Sequence, residues 1–154
     1  MKLQEFIANQ TAYCCEALIT QAEALGEKAT WAPEGCRNAH DQIAECAIIC
    51  GHMPQVLQSR TMPDFSPEMM AEYEKAKASL ATMAEAVALL RENNAKLVSF
   101  IQGMSDSDLD EEMKFWGPKP WIVADVADHH RWNMVYHTGQ ICYIQTLLGD
   151  KDMH

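Results

Sequence analysis

The chain has 154 residues, of which 48% are hydrophobic, and a formal net charge of −10. This length suits one domain with a sizeable core, and this hydrophobic content excludes a disordered chain. The acidic excess argues against nucleic acid and anionic membrane surfaces as partners, because both require clustered Lys and Arg. We therefore predict a single domain over residues 1–154, with no nucleic acid and no membrane among its partners.

The N-terminal residues show no secretory signal pattern, and no apolar run approaches the roughly 20 residues that span a membrane. No Cys-x-x-Cys spacing occurs among the cysteines, which are Cys14, Cys15, Cys36, Cys46, Cys50 and Cys142. These features predict a cytoplasmic protein whose cysteines are reduced and structural.

Apolar side chains recur at spacings of three, four and seven over residues 2–25, which predicts a first amphipathic helix. Gly26 is suited to end that helix, because glycine readily adopts the left-handed conformation of a helix C-terminus. Residues 26–37 form a predicted loop, in which we expect Trp31 to close one end of the core.

A second helix is predicted over residues 38–58, beginning at Asn38, which is a favourable N-cap. Ser66, followed by proline at the first helical position, begins a third helical segment that runs to about Gly103. A helix of this length is expected to be bent or broken near its middle.

An acidic turn over residues 105–112 leads to a loop with buried aromatic side chains over 113–120. The last helix is predicted over residues 120–148 and ends at Gly149. No alternating strand pattern of useful length appears, apart from a short piece around 113–116. Four long amphipathic segments therefore predict an all-α fold, a four-helix bundle with an extra short helix or a bend.

The inward face of the last predicted helix is unusually polar. At about 100° per residue, six side chains fall within roughly one quadrant, namely His130, Asn133, His137, Gln140, Ile141 and Ile144. Burial without partners costs on the order of 1–3 kcal/mol per unsatisfied group. These polar side chains therefore either satisfy one another or bind something.

Bundles build metal sites from inward side chains on facing helices, so candidates on the second helix belong with those on the last. His137 is the strongest candidate ligand, since neutral imidazole suits Zn, Ni or Fe. The alternative is a buried polar network without metal. A di-iron carboxylate centre is excluded, because the chain lacks Glu-x-x-His. The full candidate set is Asp41, Glu45, His52, His130, Asn133, His137 and Gln140.

The run from Tyr136 to Asp150 resembles the C-terminal signature of the DinB-like superfamily. Its elements are a histidine, one residue, Gly-Gln-Ile, a tyrosine-containing turn and a closing glycine. The Trp31-x-Pro33 loop and the helix over residues 38–47 are also similar to that family, in the same order. The likeness thus covers nearly the whole chain.

The resemblance implies an up-down-down-up four-helix bundle, usually a homodimer. Many members hold a metal with three histidines, one from the second helix and two from the last helix, four residues apart. Some relatives are thiol S-transferases or isomerases. In this chain the three positions match Glu45, Asn133 and His137, so only His137 keeps the expected residue type.

Three functions follow as hypotheses. In the first, Glu45, Asn133 and His137 bind a divalent metal (Zn, Ni, Fe or Mn) in a metal-dependent hydrolase or thiol S-transferase, with Glu45 as ligand or general base. In the second, the protein is a non-catalytic homodimer that binds a small molecule or a partner, and the three side chains form a metal-free network. A thiol transferase without metal, which would bind a low-molecular-weight thiol, is a third alternative. Residues assigned to the surrounding pocket are Asp41, His52, His130 and Gln140.

Overall fold

The computed structural model describes residues 1–152 and 154 and is mainly helical. Its helices are α1 (Leu3–Ala24), α2 (Ala39–Ser59), α3 (Pro67–Ser79), α4 (Met83–Gln102), α5 (Asp106–Leu109) and α6 (Val123–Leu147). A 3₁₀ helix follows α1 at Gly26–Thr30, and two short antiparallel strands, β1 (Glu112–Met113) and β2 (Trp121–Ile122), precede α6. The predicted all-α class is confirmed.

The core lies among the four long helices. Helices α1 and α2 each pack against both α4 and α6, whereas α1 and α2 contact each other only slightly. Fully buried side chains from all four helices meet there, including Leu18, Ile43, Leu97 and Ile141. Burying each such side chain contributes about 1.5–3 kcal/mol, so this interior is the main source of stability.

The long third segment consists of two helices, with the break at residues 80–82. Thr82 begins α4 through a capping box: its hydroxyl accepts from Glu85 N at 3.2 Å, and Glu85 accepts from Thr82 N at 2.9 Å. Ser66 caps α3 by accepting from Met69 N. No residue of α3 is buried, and this helix packs mainly on α2. It therefore forms an outer layer rather than part of the core.

The expectation that Trp31 closes the core is wrong, because its side chain is 41% exposed. The 3₁₀ helix buries Ala29 at this end instead. Gly26 does end α1 in the left-handed region, with φ +53°. Within residues 1–152 and 154, no helix has the length and apolarity needed to cross a membrane.

Candidate functional site

His137 is the centre of a polar cluster between α2 and α6. Its imidazole is fully buried. Nδ1 lies 3.1 Å from Oε1 of Gln42 and 2.9 Å from Oε1 of Gln140, and Nε2 lies 3.0 Å from Oε1 of Glu45. The structure thus brings together three of the predicted residues, Glu45, His137 and Gln140. It adds Gln42, which was not predicted.

The hydrogen bonds of Gln42 fix the protonation of the imidazole at Nδ1. Nε2 of Gln42 donates to the backbone carbonyl of Arg37 at 3.1 Å, which turns Oε1 of the same amide towards His137. Because Oε1 only accepts, Nδ1 must carry a hydrogen. Nε2 is then the ring nitrogen that faces the carboxylate of Glu45.

Glu45 is held by cations as well as by the histidine. Arg37 Nη1 forms an ion pair with Oε2 of Glu45, and Lys77 lies nearby. Burial acts to raise the pKa of Glu45, but the hydrogen bond and charge of His137, with the charges of Arg37 and Lys77, lower that pKa below its usual range. Glu45 is therefore a carboxylate at neutral pH.

Asn133 and Asp41 are engaged by neighbours other than His137. Asn133 Nδ2 donates to Cys46 Sγ at 3.7 Å. Asp41 forms an ion pair with Lys77 at 2.9 Å, next to the polar cluster rather than in it.

His130 does not join the polar cluster. It is completely buried, and neither of its ring nitrogens has a hydrogen-bond partner among the described residues. Burial, with smaller effects from His129 and His137, lowers the pKa of His130 to about 3, so its ring is neutral. The helical spacing correctly predicted that His130 points inward, but its ring makes no hydrogen bond to the polar cluster.

A cleft of about 550 Å³ opens beside the cluster, between α2, α3 and α6; we call it the α2–α3 cleft. Its polar lining consists of Arg37, Glu45, His52, Glu74, Lys77, His129 and Asn133. Its apolar lining consists of Ile49, Met53, Val56, Met62, Pro63, Phe65, Met69, Met70, Tyr73, Phe115 and Trp116. This size and mixture are typical of small-molecule sites. His52 thus lies on the cleft, away from His137's hydrogen-bond partners.

Two loops meet at the border of the cleft. Phe65 and Trp116 stack with ring centroids 5.3 Å apart and planes 13° apart. The loops are joined by a bridge between Thr61 and Lys114 and by the bond from Met62 N to Lys114 O. Trp116 is half-exposed, so the expectation of buried aromatic side chains in this loop is wrong for Trp116.

A second depression, the α6 groove, lies on the other side of the cluster, with a volume of about 610 Å³. Gln42 and Gln140, the partners of Nδ1, line this groove together with Tyr143. Arg37 lines both the groove and the α2–α3 cleft. His137 is therefore buried in the wall that separates them.

The donor set meets the requirements of a metal site only partly. Glu45 and His137 are two strong ligands, and Asn133 supplies an amide that lines the same cleft. No group of three His, Cys, Asp or Glu side chains is placed to hold a metal among residues 1–152 and 154. Arg37 also occupies the second oxygen of Glu45.

No family model, curated protein or solved structure matches this chain. The DinB-like resemblance rests on the sequence motifs alone.

Proposed function

We propose that this protein is a DinB-like four-helix bundle that binds a small organic molecule in the α2–α3 cleft. The polar end of the ligand would lie at Arg37, Glu45 and Asn133, and its apolar part against the methionine and aromatic wall. The observation that carries the proposal is the cleft itself, an apolar cavity with a few convergent charged groups at one end.

The His137 network supports the metal-free form of this proposal. Both ring nitrogens of His137 have protein partners, and both oxygens of Glu45 are engaged, by His137 and by Arg37. A network that is satisfied without a metal fixes the register of α2 against α6 and holds the polar end of the cleft rigid.

The neutral dye N-phenyl-1-naphthylamine tests ligand binding, because its fluorescence rises in apolar sites. We expect saturable binding with one site per chain. Trp116→Ala should weaken it at least about fivefold, a loss of roughly 1 kcal/mol. Trp31→Ala is the matched control, since Trp31 is 41% exposed and does not line the cleft. No saturable binding, or equal weakening by both variants, would reject the proposal.

A metal-dependent activity is the second candidate, and a specific observation favours it. Because Nδ1 of His137 is occupied by amide oxygens, Nε2 remains the nitrogen available to a cation, and it lies 3.0 Å from a carboxylate oxygen. Such anchoring of Nδ1–H is typical of metal-binding histidines. Glu45, Asn133 and His137 would hold the ion, which when bound would activate water or a thiol.

Metal analysis of protein purified without a histidine tag tests this candidate. Support requires about one equivalent of Zn, Ni, Fe or Mn, and a rise in melting temperature with that ion that Glu45→Gln removes. Metal at background level, with no shift for any of the four ions, would eliminate it and leave the metal-free form.

We also propose that the protein acts as a homodimer. The outer face of α6 carries a row of half-exposed apolar and aromatic side chains, Trp132, Val135, Tyr136, Tyr143 and Leu147. Contiguous exposed apolar surface is typical of interaction sites. Light scattering on the purified chain measures the mass directly, and a monomer at all concentrations would contradict this assembly.

A further inference from the structure

We infer that the ligand of the α2–α3 cleft is an amphipathic anion: a carboxylate, or a similar small oxyanion, at one end of an extended apolar body. This inference rests on the proposed function, because it names the chemistry of the molecule that the cleft would bind.

Arg37 is the cation of the cleft that has donors to spare. Its guanidinium has five N–H donors, and Glu45 is its sole side-chain partner among the described residues, through Nη1. The Arg37 side chain is 42% exposed. Lys77, by contrast, is 13% exposed and already pairs with Asp41 and Glu74. A planar fork with free donors is the group that binds carboxylates and phosphates in two parallel hydrogen bonds.

Glu45 keeps a partner when a ligand engages Arg37. Its Oε1 remains 3.0 Å from Nε2 of His137, and the charge of Lys77 also acts on it. Sharing Arg37 with an incoming anion therefore does not leave Glu45 as an isolated, partly buried charge, which would be costly.

The apolar part of the cleft is long and begins beside this charged end. Ile49, Met53 and Val56 follow Glu45 along α2 at spacings of four, four and three, so they share one helix face. At 1.5 Å per residue, the track from Glu45 to Val56 is about 16 Å long. Methionines on the opposite wall, such as Met69, are flexible and adapt to chains of different shape. These features favour an extended body with its charge at one end.

A cationic amphiphile is the competing ligand. Aromatic rings line the cleft and attract cations, and the net charge of −10 attracts them from a distance. However, Glu45 is paired with Arg37 and His137, and Glu74 is paired with Lys77. Both oxygens of Glu45 are thus engaged at the charged end of the cleft, and Glu74, which is 61% exposed, pairs with Lys77 through one oxygen. Arg37 retains unused donors beside Glu45, so the charged end favours an anion.

Three ligands with the same ten-carbon chain and different head groups separate these possibilities: decanoate, 1-decanol and decyltrimethylammonium. The two ionic ligands are titrated below their micelle concentrations and decanol below its solubility limit, and binding is measured by tryptophan fluorescence and calorimetry. We expect decanoate to bind about tenfold more tightly than decanol, as for one charge-assisted contact, and the ammonium compound to bind least. Equal affinities, or tightest binding of the ammonium compound, would overturn the inference while leaving the cleft as a ligand site.

Two substitutions of Arg37 test whether this residue causes the preference for decanoate over decanol. Arg37→Gln should bring decanoate down to the affinity of decanol and leave decanol unchanged, and Arg37→Lys should recover part of the difference. Arg91→Gln is the matched control, since Arg91 is 46% exposed and pairs with Glu16 on another face. Decanoate preference that survives Arg37→Gln would contradict the inference.

Because Arg37 also lines the α6 groove, a further pair of variants must show which of the two depressions holds the ten-carbon chain of the ligand. Ile49→Asn should weaken all three ligands, whereas Tyr143→Ala, in the groove, should affect none. The reverse pattern would place the ligand in the α6 groove and overturn the inference. Binding of none of the three ligands, together with no binding of N-phenyl-1-naphthylamine, would reject the proposed function itself.

Discussion

Nε2 of His137 on α6 lies 3.0 Å from Oε1 of Glu45 on α2, and this contact joins the two helices together with those of Gln42 to His137 and of Asn133 to Cys46. The pair therefore contributes to the register of the two helices.

The first prediction concerns the coupling of this pair. Glu45→Leu and His137→Leu should each lower the free energy of unfolding by about 1–3 kcal/mol, because each leaves a polar partner in the protein without its hydrogen bond. The double variant should be less destabilised than the sum of the two by about 1 kcal/mol, as measured by urea unfolding at pH 7. Additive effects would mean that the contact does not fix helix register.

His130 is predicted to cost stability, because both its ring nitrogens are buried without partners. His130→Leu should raise the free energy of unfolding at pH 7 by about 1 kcal/mol or more. The exposed His52 is the control, and His52→Leu should change stability little. A lower free energy of unfolding for His130→Leu would contradict the prediction, because it would mean that the imidazole makes a stabilising interaction.

Burial of His130 should also make the free energy of unfolding depend on pH. In the folded protein its pKa falls from the usual 6.5 to about 3, so between these values the unfolded chain binds more protons. Stability is therefore lost as pH falls from 6.5 towards 3, by about 3 kcal/mol at pH 4 from this group. Glu45, whose pKa is lowered, adds a loss in the same direction. Urea unfolding from pH 7 to pH 4 should show a shallower decline for His130→Leu than for the parent; equal slopes would contradict this assignment.

The cysteines should differ sharply in reactivity. Burial raises the pKa of Cys15 to about 12 and holds the pKa values of Cys46 and Cys50 well above the usual range. Cys36, in contrast, is exposed. Because the thiolate is the reactive form, brief treatment of the native protein with iodoacetamide should label Cys36 first and spare the other three until unfolding. Peptide mass spectrometry gives the order, and early labelling of Cys46 would contradict the core described above.

Substitution by alanine is expected to affect stability differently at two helical glycines, Gly139 and Gly51. A Cβ at Gly139 of α6 would meet no atom within 4 Å, so Gly139→Ala should stabilise the helix by about 0.5–1 kcal/mol. A Cβ at Gly51 of α2 would lie 2.7 Å from Nδ2 of Asn93, which donates to the carbonyl of Ala47. Displacing that amide should cancel the gain, so Gly51→Ala should not stabilise. Thermal unfolding of both variants, compared at one concentration, decides; equal gains would mean that Asn93 moves freely.

Local signals in the sequence were sufficient for much of the fold. Asn38 and Ser66 do cap α2 and α3, and the periodicity placed the long helices within a few residues. The break at residues 80–82 was detectable too, since Thr82 followed by Glu85 is a capping-box pattern. The exposure of Trp31 could not be predicted from the sequence, because it depends on how the preceding 3₁₀ helix packs on α2.

The candidate site, like the fold, could be predicted only in part from the sequence. Helical periodicity turned His130 and His137 inward, but it could not show that one lacks partners while the other has three. The roles of Gln42, Arg37 and the Phe65–Trp116 stack arise from contacts between segments distant in sequence. A contact that is made only once produces no repeating pattern in the sequence, so it cannot be predicted from residue spacing.

The absence of buried side chains in α3 has a kinetic consequence for anything held beneath it. Its amide hydrogens should exchange with solvent through local opening at far lower cost than those of α2 or α4. A molecule in the cleft would then leave when α3 lifts rather than by its own diffusion, so its residence time should follow the helical stability of residues 67–79. Evolution could lengthen or shorten that time by substitutions on the outer surface of α3, without altering a single contact to the ligand.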